Sequence, residues 1–201
     1  MIVPELLILN AIKDGFEEIS KDTIILKTIF PDDRALDTSR LQSVLLDSKK
    51  LNIIMGFPMA GVKDTTIALT LGQADEDDQL IGEGTRPEHL YTFGSSRDVL
   101  FDSREYGTFF VGNWRLTIYS TNADLAVRLA YLVKYILLTK RIALTTSGLM
   151  EQSLSMADFE PIPDYLPDIV FVRAIMLKAK TLDTFRDFPK EETVAAIEVA
   201  L

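Results

Sequence analysis

Residues 107–143 constrain the fold most, because an alternating segment there passes directly into a helical one. In "GTFFVGNWRLTIYS", Trp114, Leu116 and Ile118 share one face and polar or mixed residues share the other, which is the two-residue period of a β-strand. From Leu125 onward, apolar residues recur at the three- and four-residue spacing of a helix. A strand with one covered face is typical of an antiparallel sheet. We expect the helix that follows to pack on the apolar face of this strand.

The helix is expected over about residues 122–143. Thr121 precedes Asp124 by three positions, which is similar to a capping box with an acid near the positive helix end. Lys140 and Arg141 carry the charge that suits a helix C-terminus. Two adjacent apolar stripes run along the segment, so the helix is predicted to be buried over much of its circumference. Gly148 is a predicted turn beyond it.

Other segments show the same two periods. Apolar residues at helical spacing predict a helix over about residues 4–19, and "TSRLQSVLLDSKK" predicts a short amphipathic helix. Residues 22–30 favour a strand or a short helix, and the sequence leaves that choice open. Strands are expected in "LNIIMGF", "TTIALTLG", "DVLFDS" and "DIVFVRAIMLKAK".

The C-terminal part combines a proline-rich passage, a strand and an apolar end. Pro161, Pro163 and Pro167 predict an irregular extended passage before the last strand. "ETVAAIEVAL" at the chain end docks on the same core or adds a strand to a neighbour's sheet, and the sequence leaves both open. The predicted fold is therefore α+β: a mainly antiparallel sheet packed against the long helix, with an N-terminal helix and a C-terminal arm. Residues 1–181 are expected to form one domain and residues 182–201 the arm.

Composition narrows the function. The chain has 201 residues, with 21 Lys and Arg against 30 Asp and Glu and a net charge of −9, which disfavours nucleic acid or anionic lipid as the main partner. It contains no cysteine, so disulfides and thiolate metal sites are excluded. Neither a signal peptide nor a transmembrane segment is predicted, and a soluble intracellular protein is expected.

The acidic run Asp75, Glu76, Asp77 and Asp78 is the first candidate for chemistry. It fails the calcium-loop pattern, because Leu80 stands where that loop requires glycine. We interpret the run as the solvated tip of a hairpin, with a metal contact or a charged partner contact as alternatives. His89, the single histidine, is interpreted as a surface-loop residue, and no nucleophile or phosphate-binding motif accompanies it. No catalytic residue, metal site or cofactor is predicted.

The long helix carries a second group of candidates. Arg128 and Lys134 are cations on a helix that is otherwise strongly apolar, and Tyr131 and Tyr135 lie on the same side. Such cations commonly extend their stems over apolar surface and keep the charge in water. A polar strip with aromatic residues also indicates a protein interface.

Two stretches resemble a known family. They are "FPMAGVKDTTIALTLGQADEDDQLIGEG" and the segment from "NWRLTIYSTNADLAVRLAYLVKYILLTK" through "SLSMADFEPIPDYLP" to the final strand with Arg173. Together they span about residues 57–180 and resemble the neck and tail-completion proteins of tailed bacteriophages, including tail terminators.

The resemblance implies a virion structural protein without catalysis. Members of the family form rings, commonly hexamers, that terminate the tail tube and sheath and join the tail to the head. DNA would pass through such a ring without sequence-specific binding, and an acidic lumen lined by the Asp75–Asp78 run would favour sliding. The expected location is the virion neck, and the host cytoplasm during assembly. Alternatives are another head–tail connector, such as a stopper or adaptor-like collar protein, or a bacterial small-molecule-binding α+β domain.

Overall fold

The computed structural model describes residues 3–31, 38–47, 50–57, 65–76, 104–159 and 170–187. These residues form an α+β fold with a five-stranded mixed sheet. The helices are α1 (Pro4–Lys21), α2 (Thr23–Ile29), α3 (Thr38–Leu46), α4 (Ala123–Thr139) and α5 (Arg141–Thr146). The strands are β1 (Leu51–Met55), β2 (Thr65–Glu76), β3 (Arg104–Ser120), β4 (Leu149–Phe159) and β5 (Phe171–Asp187).

The sheet has the strand order β1-β2-β3-β5-β4. β2, β3, β5 and β4 are successively antiparallel. β1 instead runs parallel to β2, with Leu51 opposite Thr65. The sheet is thus mixed, and three of its four strand pairings are antiparallel, in agreement with the prediction of a mainly antiparallel sheet. Alternation reports the period of a strand and contains no information about its direction.

One row of paired residues crosses the sheet from β2 to β4. Glu76 lies opposite Phe110, Phe110 lies opposite Thr181, and Thr181 lies opposite Leu149. This row marks the level at which β2 ends and β4 begins. We call this end of the sheet the distal end.

β3 and β5 continue past the distal end as a two-stranded ribbon. Residues 104–109 pair with residues 182–187, and among the described residues no other strand flanks them. At about 3.3 Å per residue the ribbon extends about 20 Å. β5 thus crosses the predicted boundary between domain and arm at residue 182, while residues 188–201 lie outside the described part of the chain.

The main core lies between the sheet and the helices. Trp114, Leu116 and Ile118 share the buried face of β3, as the alternation predicted. α4 contacts β3 and β5 on this face, α1 contacts β1 and β2, and α5 contacts β4. Trp114 also joins the two layers directly, because its Nε1 donates a hydrogen bond to Glu5 Oε1 of α1 at 2.8 Å.

The opposite face of the sheet is also partly buried. Ala68, Tyr119 and Val170 form a small second cluster there, and Thr117 is buried beside Tyr119. The expectation of a single covered face is therefore too simple. Small and β-branched residues on this face leave little surface for solvent to reach.

The predicted helix over residues 122–143 is two helices. α4 begins after Asn122, whose side chain accepts a hydrogen bond from the Leu125 N–H at 3.2 Å, so Asn122 and not Thr121 is the cap. α4 ends at Thr139, and Lys140 adopts φ −84° and ψ 2° before α5 starts. Gly148, predicted as a turn, has φ 104° after α5, which is the left-handed conformation that glycine adopts without cost.

Three other predictions have outcomes. The N-terminal helix is confirmed as α1 and the short amphipathic helix as α3. The ambiguous residues 22–30 form α2, because Asp22 caps it by accepting the Ile24 N–H at 2.8 Å. β4 was missed, since no element was assigned to "LMEQSLSMADF", which precedes the prolines. The predicted strand "DVLFDS" and Pro161, Pro163 and Pro167 lie outside the described residues.

Candidate protein-interaction surface

The outward side of α4 carries the four candidates that the sequence singled out. The opposite side of the helix packs into the core through residues such as Leu129, Leu132 and Ile136. Tyr131 is consequently exposed to 45%, while Arg128, Lys134 and Tyr135 are half-buried. We call these four residues the helix strip.

One residue of the helix strip packs on the core, and two others contact each other at the surface. Tyr135 packs against the main core, which fixes this part of the surface. Lys134 Nζ lies 5.9 Å from the centroid of the Tyr131 ring, within the range of a cation–π contact. A ring and a cation held together at the surface present an apolar and a charged group to a partner.

Beyond the helix strip, the break between α4 and α5 exposes further apolar side chains. Leu138 is exposed to 44% and Ile142 to 81%, and Arg141 is exposed beside them in the chain. We call Leu138, Arg141 and Ile142 the helix-end patch. Sequence reasoning missed it, because a continuous helix to residue 143 gave no reason to single out Ile142.

Asp75 and Glu76 lie within β2 and not in a turn. They pair in register with Val111 and Phe110 of β3, and both are exposed. The Gln73 side chain donates to both carboxylate oxygens of Asp75 at 3.0 and 2.8 Å. Asp77 and Asp78 lie outside the described residues, so the predicted hairpin tip is not within the described part of the chain.

Among the described residues, the last part of β2 also has an unpaired edge. β1 accompanies β2 only as far as Leu69, which lies opposite Met55. Among the described residues, no strand pairs with the outer edge of β2 beyond that point. Leu71 is exposed to 49% on this stretch. Leu71 and Glu76 lie on the Trp114 side of the sheet, and Asp75 lies on the other side, as their β3 partners Trp114, Phe110 and Val111 indicate. The three residues therefore flank this edge, and we call Leu71, Asp75 and Glu76 the strand-end patch.

Other charged side chains form salt bridges between elements of the same chain. Lys140 Nζ donates to Glu18 Oε1 at 2.5 Å, which joins the end of α4 to α1. Arg173, part of the family-like segment, is 2.7 Å from Asp158 Oδ1 through its Nε, and the two residues are opposite each other on β5 and β4. Arg173 therefore joins two strands of the sheet.

Two side chains, those of Glu17 and Tyr119, have shifted pKa values. The pKa of Glu17 is lowered, because Lys21 hydrogen-bonds its carboxylate on the surface of α1. Burial raises the pKa of Tyr119, against the smaller opposing effects of a hydrogen bond with Thr117 and the charge of Arg115. Neither group belongs to the helix strip or to the two patches.

The described residues hold no cluster of three or more side chains of the types that bind metals. His89 lies outside the described part of the chain. Within the described ranges, no helix is both long and apolar enough to span a membrane.

Comparison with known proteins adds no relative. No model of a known protein family matches the chain, and no curated protein matches it.

Proposed function

We propose that this chain is a structural subunit of the neck of a tailed bacteriophage. In this proposal, copies close into a ring that ends the tail tube and sheath and joins the tail to the head, and the family resemblance implies six subunits. The subunit works by assembly and not by catalysis. The resemblance over about residues 57–180 supports it, together with one observation: the molecule carries two different exposed surfaces.

Two different surfaces are what a ring needs. A closed ring of more than two identical subunits uses heterologous contacts, in which one surface of a copy meets a different surface of the next. The helix strip and helix-end patch are aromatic, apolar and basic, whereas the strand-end patch is apolar and acidic. A two-fold dimer would need one self-complementary surface instead.

The remaining partners follow from the proposed position in the particle. The tail tube, sheath and connector proteins would contact the two ends of the ring, and DNA would pass through its centre without base-specific contacts. The β3–β5 ribbon projects from one end of the sheet and offers strand edges for such axial contacts. The neck of the virion is the site of action, and the host cytoplasm is the site of assembly.

Electron microscopy of the purified protein tests the proposal. Negative-stain images should show closed rings with a central channel. Tyr131→Asp should abolish the rings, because it places a charge on the helix strip. Ile24→Asp should leave them intact, since Ile24 is exposed to 70% on α2 and belongs to none of the defined surfaces. Particles without a closed ring at any protein concentration would contradict the proposal.

A further inference from the structure

We propose that the helix-end patch of one copy binds the strand-end patch of a second copy. This inference rests on the proposed function and names one contact within the two surfaces that meet in the ring. The contact joins Leu138, Arg141 and Ile142 of one chain to Leu71, Asp75 and Glu76 of the next.

The acidic part of the strand-end patch lies at the same level of the sheet as the helix-end patch. Glu76 belongs to the row of paired residues that ends at Leu149 of β4. Leu149 follows α5 directly, because only Ser147 and Gly148 separate Thr146 from β4. The break between α4 and α5 is therefore at the distal end, where β2 also ends. A rotation axis that runs along the strands moves a subunit sideways without changing this level.

The two patches also lie toward opposite sides of the sheet. α5 contacts β4, the last strand on one side. β2 lies toward the other side, and β1 covers its outer edge only up to Leu69. Placing copies side by side thus turns the α5 side of one toward the β2 side of the next.

The chemistry of the two patches is complementary. The helix-end patch combines exposed aliphatic side chains with the Arg141 cation, and the strand-end patch combines exposed Leu71 with two carboxylates. Arginine and carboxylate form charge-assisted hydrogen bonds, and the aliphatic groups bury surface beside them. The net charge of −9 disfavours contacts between two acidic surfaces, so a basic patch favours one place for a second copy to dock.

Cysteine cross-linking tests the contact directly, because the chain has no native cysteine. A chain with Asp75→Cys and Ile142→Cys should form a ladder of covalent oligomers under mild oxidation, read on a denaturing gel. Each single variant alone should give no ladder. The matched control combines Asp75→Cys with Ile24→Cys, because Ile24 is also largely exposed but belongs to neither patch, and it should also give no ladder.

Charge reversal supplies a second readout in the folded protein. Arg141→Glu should raise the concentration needed for half assembly about tenfold, which corresponds to about 1.4 kcal/mol. Combining it with Asp75→Lys and Glu76→Lys should restore assembly to within about threefold of the starting protein, because opposite charges face each other again. Lys13→Glu, an exposed reversal on α1, controls for net charge and should leave assembly unchanged.

The outcomes separate this contact from the proposed function. Rings that form without the 75–142 cross-link, and that tolerate Arg141→Glu, would overturn the contact and leave the ring proposal standing. Reversal of Asp75 and Glu76 that spares assembly but blocks DNA passage would also overturn it, since those acids would then line the channel. A protein that stays monomeric at every concentration would overturn both.

Discussion

Replacing Gly112 with alanine tests how the main core is closed. A Cβ at position 112 would stand 2.2 Å from Cη2, 2.5 Å from Cζ2 and 2.7 Å from Cζ3 of the Trp114 ring. Trp114 is only 2% exposed, and its Nε1 donates to Glu5 on α1. The indole therefore lies over the glycine, and any side chain there must displace the ring or the strand.

The expected cost follows from three contributions. Overpacking a closed core costs about 1–3 kcal/mol. Loss of the bond from Trp114 to Glu5 adds about 1 kcal/mol. Alanine regains about 0.5–1 kcal/mol, because it loses less backbone entropy than glycine when it folds. Gly112→Ala should therefore lower the free energy of unfolding by about 1–3 kcal/mol.

The assay uses urea unfolding with two probes. Trp114 is the only tryptophan, so its native fluorescence should shift to longer wavelength as the displaced indole meets water. Trp114→Phe removes the three clashing atoms, so in that background, followed by circular dichroism, Gly112→Ala should no longer destabilise and should retain the gain of about 0.5–1 kcal/mol. An equal cost in both backgrounds, with unchanged fluorescence, would refute the proposed stacking of the indole on Gly112.

Three further predictions concern stability. Because burial raises the pKa of Tyr119, the folded protein holds a proton that the unfolded chain releases, and stability should fall as the pH rises through about 10. Tyr119→Phe should flatten this decline in urea unfolding at several alkaline pH values, and an unchanged slope would contradict the assignment. Asn122→Ala should cost about 1 kcal/mol through loss of the α4 cap, whereas Thr121→Ala should cost less than about 0.5 kcal/mol; equal effects would contradict the position of the cap. Gly15→Ala should destabilise by about 1–2 kcal/mol, because its Cβ would lie 2.4 Å from Ile136 Cγ2 and overpacking outweighs the helix-propensity gain. In an Ile136→Ala background the same change should stabilise, and additive costs in thermal unfolding would refute the close crossing of α1 and α4.

The elements with strong periodicity were predictable. The alternation around Trp114 and the apolar stripes that include Leu129 correctly indicated which side chains are buried. The period of a strand or helix determines which of its faces each side chain occupies. The break at Lys140 was not predictable in this way, since a lysine followed by an arginine suits the end of a helix and equally a turn between two helices. β4 was missed for another reason: its alternation is confined to a short run around Leu154 and Met156, and its pairing with β5 extends the strand beyond that run.

The candidate surface was predictable only where one element carries it. The helix strip was visible because Tyr131 and Lys134 stand out on an apolar helix. The helix-end patch depends on where α4 stops, and the strand-end patch depends on where β1 leaves β2. Both patches depend on where helices and strands end in three dimensions, and local sequence patterns do not report this. The direction of β1 and the length of the β3–β5 ribbon were hidden for the same reason.

Native mass spectrometry across a concentration series tests the central claim most directly. The ring proposal predicts one closed oligomer above a threshold concentration, with six subunits expected from the family resemblance, and no open series of larger species. A monomer at every concentration, or a two-fold dimer alone, would contradict it.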